Sequence, residues 1–218
     1  MKKSPPLRLL ILSLLCIGAL LSSGSAPLAD DGYWSRQLQK GKMNLPVDTV
    51  LQSRVTSCGE AVIAMAYNYA YPETQIDEQA VIDYAVAKGY YTEEQAPFTS
   101  PADMTLLADH YADTVSTGAV SDADEGLSLL IQKLTGGDPV MIDVFTLLGD
   151  PRSGAHFVVV TGIAIDPKNP DDIQIYYNDP MTGTNRSSPW LGSDGIWDAW
   201  QNNNDPGGSG WWMMISSP

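Results

Sequence analysis

The chain has 218 residues, enough for one domain with a sizeable buried core, and its 44% hydrophobic content is that of a globular protein. Its formal charge of −14 repels phosphate backbones, which excludes nucleic acid as an expected partner and leaves solubility or attraction of a basic peptide as its meaning. Two histidines and two cysteines give no zinc spacing, and no His-Glu-x-x-His pattern or phosphate-binding glycine loop occurs, so neither metal nor cofactor is expected.

Lys2, Lys3 and Arg8 precede a run over residues 9–21 that is apolar apart from Ser13 and Gly18. Small residues follow (Ser22, Ser23, Gly24, Ser25, Ala26), and the chain turns polar at Asp30. This is the three-part layout of a secretory signal, and the apolar run is short for a membrane span. Residues 1–29 are therefore expected to be a leader cleaved between positions 24 and 29. The protein is then exported, and it meets a membrane only if that segment is retained as an anchor. Loss of Lys2, Lys3 and Arg8 takes the charge to near −17. Cys16 leaves with the leader, and Leu14 and Leu15 before it argue against lipidation. Cys58 is then a lone thiol in an oxidising compartment, either reactive or a small buried filler.

Residues 30–43 are polar with Tyr33 and Trp34 and read as a linker or a short packed arm; residues 44–218 form the domain. Leu45, Pro46 and Val47 suggest a short edge strand. A helix is expected over residues 58–69, with Ala61, Val62, Met65, Ala66 and Tyr69 on one buried face. A second follows over residues 75–88, stopped by Gly89, and a third opens at Thr99, Ser100 and Pro101 and runs to about Tyr111. Residues 121–124 cap a fourth that carries Leu127, Leu130, Ile131 and Leu134 and closes at Gly136 and Gly137. Strands are expected at residues 139–145, 155–165 and 173–178, with a turn over residues 166–171. Residues 190–201 suit a short helix with Trp197 and Trp200, residues 202–210 a loop, and residues 210–216 a last apolar strand. Helices first and an antiparallel sheet after make an α+β order.

Cys58 stands where the first of these helices begins. Unpaired N–H groups and the positive end of the helix dipole favour thiolate over thiol there. Gln52 is six residues upstream, close enough for its amide to join a helix-start N–H as a donor to an acyl-transfer oxyanion. A cysteine nucleophile needs a base held by a third polar group. His110 lies on the third helix, four residues after Leu106, with no chemistry around it, whereas His156 leads the central strand, where a side chain can face a cleft. If the next two strands fold about the middle of residues 166–171, paired positions sum to about 337. Asp179 then lies opposite Val158 and on the same face as His156. A one-residue slip would move it to the other face, and Asn178 is the alternative orienting group.

These motifs resemble one family. Gln52 with Ser57-Cys58-Gly59, then residues 136–140, residues 154–162 and Asn178-Asp179-Pro180-Met181-Thr182-Gly183, are similar to the papain-like cysteine peptidases related to the bacteriocin-leader-processing (double-glycine) peptidases, over roughly residues 44–216. The resemblance implies a helical half packed on an antiparallel sheet, with Cys58 as nucleophile, His156 as base, Asp179 as its orienting partner and Gln52 as oxyanion donor. The chain departs from the family at Ser57, often Asp, and at Glu60, often Pro; a carboxylate at Glu60 would oppose a nearby thiolate. It carries no attached transporter, so cleavage of double-glycine leaders does not carry over, and the substrate is some other peptide or protein. The same machinery serves amide hydrolysis or transpeptidation on cell-wall peptides, and a non-catalytic binding or adhesion module is the rival from another class.

Other signals are weaker. Asp122, Asp124 and Glu125 read as a helix cap more than a calcium loop, because Gly126 stands where a ligand is required. Residues 202–205 are a second, faint calcium candidate. Asn185-Arg186-Ser187 fits a glycosylation acceptor. Trp197, Trp200, Trp211 and Trp212 suit core packing better than a ligand groove.

Overall fold

The computed structural model describes residues 32–217, so the expected leader and Cys16 lie outside the described residues. The segment 30–43 contributes structure: helix α1 (Tyr33–Gln39) and strand β1 (Lys42–Asn44), with Leu38 and Met43 buried. The edge strand expected at residues 45–47 forms three residues earlier. Leu45 adds only its N–H to the carbonyl of Thr161, at 2.8 Å.

Helices α2 (Cys58–Ala70), α3 (Glu78–Lys88), α4 (Pro101–Tyr111) and α5 (Ala123–Thr135) follow the expected pattern. Each start after α2 is set by a side chain that takes an orphan N–H. Asp77 accepts from Ala80, Ser100 from Asp103 and Asp122 from Glu125. The Asp77 cap is why α3 begins three residues later than its apolar period suggested. Helix α2 differs from its expected single buried face: all residues from Gly59 to Tyr67 are buried. Its glycine and alanines let neighbours close in on every side, and Gly59 alone packs against Met104, Phe157 and Thr99.

Strands β2 (Val115–Ala119), β3 (Val140–Phe145), β4 (Ala155–Asp166), β5 (Asn169–Asp179), β6 (Thr184–Pro189) and β7 (Trp211–Ile215), with the short helix α6 (Ile196–Gln201), complete the fold. The antiparallel sheet runs β2-β7-β3-β4-β5-β6, and β1 pairs with the far half of β4 where β3 has ended. Helix α2 packs on β4 and α6 on β3, which buries β3 along its whole length. Trp190, Trp197, Trp200 and Trp211 are buried, and Trp212 is half-buried, so the tryptophans are core. The result is a papain-like α+β fold.

The β4–β5 register decides the site. Val159 faces Asn178 and Val160 faces Tyr177, the pairing that places Asp179 by His156. Beyond a bulge between Val160 and Gly162 the register moves by one, so Ile163 faces Ile175. The bulge therefore sets which face Asp179 presents at the site end.

Candidate active site

His156 leads β4 and is 5% exposed. Its Nε2 meets Asp179 Oδ1 at 2.8 Å. That leaves Nδ1 for Cys58, which interacts with the ring. Burial works against an imidazolium here, but the Asp179 carboxylate and Cys58 outweigh it and push the His156 pKa up to about 9. Asp179 is itself 3% exposed. Burial disfavours its charge, yet His156, the Arg186 guanidinium at 2.9 Å from Oδ2 and the Met181 N–H at 2.9 Å from Oδ1 hold it well below the usual carboxylate range.

Asn178, the alternative partner, is occupied elsewhere. Its Nδ2 donates to the Val47 carbonyl at 2.9 Å, and its Oδ1 accepts from Asn185 at 2.8 Å. The potential glycosylation acceptor is likewise committed to internal bonds, because Asn185 also donates to Thr161. His110 stacks flat on Tyr84, with ring centroids 3.6 Å apart, on the outside of α4.

Cys58 is the first residue of α2 and is partly exposed to a cleft of about 690 Å³. Gln52, Phe98, His156, Met181 and Asp205 line the same cleft. The preceding Ser57 does not cap the helix. Its hydroxyl, wholly buried, donates to Glu78 Oε1 at 2.6 Å. Glu78 also accepts the Ser53 N–H on both oxygens, at 3.0 and 2.9 Å. One carboxylate on α3 thus ties down the loop from Ser53 to Ser57.

Gln52 is fixed from the other side of the cleft: its backbone N–H donates to the Pro180 carbonyl at 2.9 Å, one residue past Asp179. The turn there needs Gly183 at φ +63, and a Cβ at Gly183 would press on Leu51. The Gln52 Nε2 donates to the Arg54 and Val55 carbonyls at 2.7 and 2.9 Å, while its buried Oε1 has no partner. The amide is at the cleft, with both its protons on its own loop.

Glu60 is fully buried. Burial raises its pKa to about 7 even though Thr99 donates to it at 2.6 Å. A carboxyl that stays partly protonated near neutral pH eases the conflict expected between Glu60 and a thiolate two residues away.

Two contributors were not anticipated from sequence, Arg186 and Glu78. Arg186 was within reach of the same hairpin arithmetic. Strands β5 and β6 pair Tyr177 with Arg186 and Asp179 with Thr184, which makes Arg186 a diagonal neighbour of Asp179 on one face. Glu78 carried no such signal, since only the packing of α3 on α2 brings it to Ser57.

Among the described residues no group of three or more histidine, cysteine, aspartate or glutamate side chains is placed to hold a metal. No curated protein sequence matches the chain. The family model described as Peptidase_C39 like family matches residues 37–205, well over half of the chain and all of the site just described. The chain belongs to that family of cysteine peptidases, the kinship its motifs suggested.

Proposed function

We propose that the protein is an exported cysteine peptidase that hydrolyses peptide bonds through Cys58, His156 and Asp179. The observation that carries this reading is a buried imidazole bonded to Asp179 at 2.8 Å on one nitrogen, with Cys58 against the ring and an open cleft before it. His156 takes the thiol proton, and the Cys58 sulfur attacks the peptide carbonyl. The free N–H of Cys58 at the start of α2 stabilises the oxyanion, joined by Gln52 when one Nε2 proton is released from its loop carbonyl. His156 then protonates the departing amine, leaving a thioester. Water, deprotonated by His156, cleaves the thioester and restores the thiol. Export rests on the leader layout at residues 1–29.

Cys58→Ala is expected to abolish cleavage of a peptide library, a loss of at least about 10⁴-fold, while leaving the thermal transition where it was. Labelling by the thiol-directed epoxide E-64 is expected at Cys58 and should collapse in His156→Ala. Cleavage that survives in Cys58→Ala would end the assignment. Labelling indifferent to His156 would turn the reading to a binding module.

A further inference from the structure

Asp205 lines the cleft that holds Cys58 and His156, on the loop after α6. Behind it Asp143 lies on β3 with no exposure at all, and neither of its carboxyl oxygens has a hydrogen-bond partner. Among the described residues no cation pairs with either carboxylate: Arg54 is bound to Glu93, Arg152 to Asp150 and Arg186 to Asp179. The two acids feel each other, since burial first and then the charge of Asp205 push the Asp143 pKa well up. The His156 N–H and imidazole oppose that rise without closing a hydrogen bond to Asp143.

The loop is shaped around this pair. Asn203 donates to the Asp143 and Trp200 carbonyls at 3.0 and 2.9 Å and accepts the Asp205 N–H at 3.2 Å. A side chain at Gly208 would run into both Asp143 Oδ2 and Asn203 Oδ1. So the fold brings two carboxyls into each other's field, neither of them in a salt bridge among the described residues, and opens one of them to the cleft. Burial favours the neutral form of Asp143, so the charge offered to the cleft is that of Asp205, which no cation of the described residues pairs with.

Building on the peptidase reading, we propose that Asp205, backed by Asp143, is the subsite that receives a lysine or arginine side chain of the substrate. A basic side chain suits the site better than a metal ion. Only two acids converge, and the Asn203 amide is already spent on the backbone. The acidic surface of the chain, formally −14, draws basic peptides toward it.

The test reads binding and does not need turnover. Cys58→Ala protein is titrated by fluorescence anisotropy with labelled octapeptide pools in which arginine, lysine, norleucine or glutamate is fixed at each position in turn. At one position the arginine and lysine pools are expected to bind at least about 10-fold more tightly than norleucine, about 1.4 kcal/mol. Asp205→Asn should erase that difference, and Asp143→Asn should reduce it. Equal binding of all pools, binding of none, or a preference that survives Asp205→Asn overturns the proposal. So does calcium chloride that displaces the basic pools while leaving norleucine bound, which would make the site a metal site. The hydrolytic reading is judged separately, by cleavage in the wild-type protein.

Discussion

The two banks of the cleft are built differently. On one, the sheet presents His156 and Asp179, and both carboxylate oxygens of Asp179 are engaged by His156, Arg186 and the Met181 N–H. On the other, a loop presents Gln52 and Cys58, held by Glu78 on one side and the Pro180 carbonyl on the other, with the Gln52 Oε1 buried and unpartnered. The base is therefore oriented before any substrate arrives. The amide donor is not, because its protons serve its own loop. In the sheet the geometry follows from strand register, whereas in the loop it depends on a few polar contacts that can be exchanged.

Breaking the sheet side should cost most. Asp179→Ala leaves the buried imidazole with no partner on Nε2, and kcat is expected to fall by about 10³- to 10⁴-fold, measured on any cleaved peptide. The pair also ties stability to pH. The His156 pKa is raised, so its contribution is complete below the ordinary value of 6.5 and is lost as pH climbs through about 9. The Asp179 pKa is depressed, so its contribution is complete above the ordinary value of 3.8 and is lost as pH falls. The wild-type advantage in urea midpoint over Asp179→Asn should thus be widest between those two ordinary values and shrink toward both ends. A difference that stays flat across pH would deny the ion pair.

This contrast also explains what could be read from the sequence. Strand register is arithmetic, so a turn near the middle of residues 166–171 was enough to put Asp179 beside His156. The true turn is tighter, with Asp166 facing Asn169, and the bulge between Val160 and Gly162 keeps the site end in the anticipated register. Strands β2 and β6 escaped notice because Val115–Ala119 and Thr184–Pro189 are short, largely polar edge strands with no apolar alternation. Helix α1 is only seven residues, below the length at which periodicity speaks. Glu78, Asp143 and the posture of Gln52 were illegible for one reason: each gains its meaning from a partner that packing supplies, and sequence spacing carries no trace of that.

Gln52 sharpens the comparison on the loop side. If its Nε2 turns to the oxyanion during reaction, Gln52→Ala should lower kcat by about 10²- to 10³-fold with KM little changed. If the amide only braces the Arg54 and Val55 carbonyls, the loss should stay below about 10-fold and appear as a lower thermal midpoint. Glu78→Gln tests the anchor behind that loop. It exchanges a carboxylate for a group that cannot accept the Ser53 N–H and the Ser57 hydroxyl with the same strength. A cost of about 1–3 kcal/mol in stability is expected, together with faster proteolytic nicking between Ser53 and Ser57.

The smallest effect belongs to Arg186, and it returns to the better-ordered bank. Its guanidinium is half-exposed and reaches Asp179 from the solvent side, so water can take over much of its hydrogen bonding once it is gone. Arg186→Gln should therefore lower kcat by no more than about 10-fold, with KM unchanged. The informative readout is the pH profile. Removing a positive charge next to Asp179 leaves more of that carboxylate's field for the imidazole, which strengthens the imidazolium. The alkaline limb of kcat against pH should then move upward in Arg186→Gln, the opposite of its shift in Asp179→Asn. A structural brace alone would lower the thermal midpoint and leave that limb in place. Opposite shifts from two residues that touch would show that Arg186 acts on His156 through the carboxylate they share.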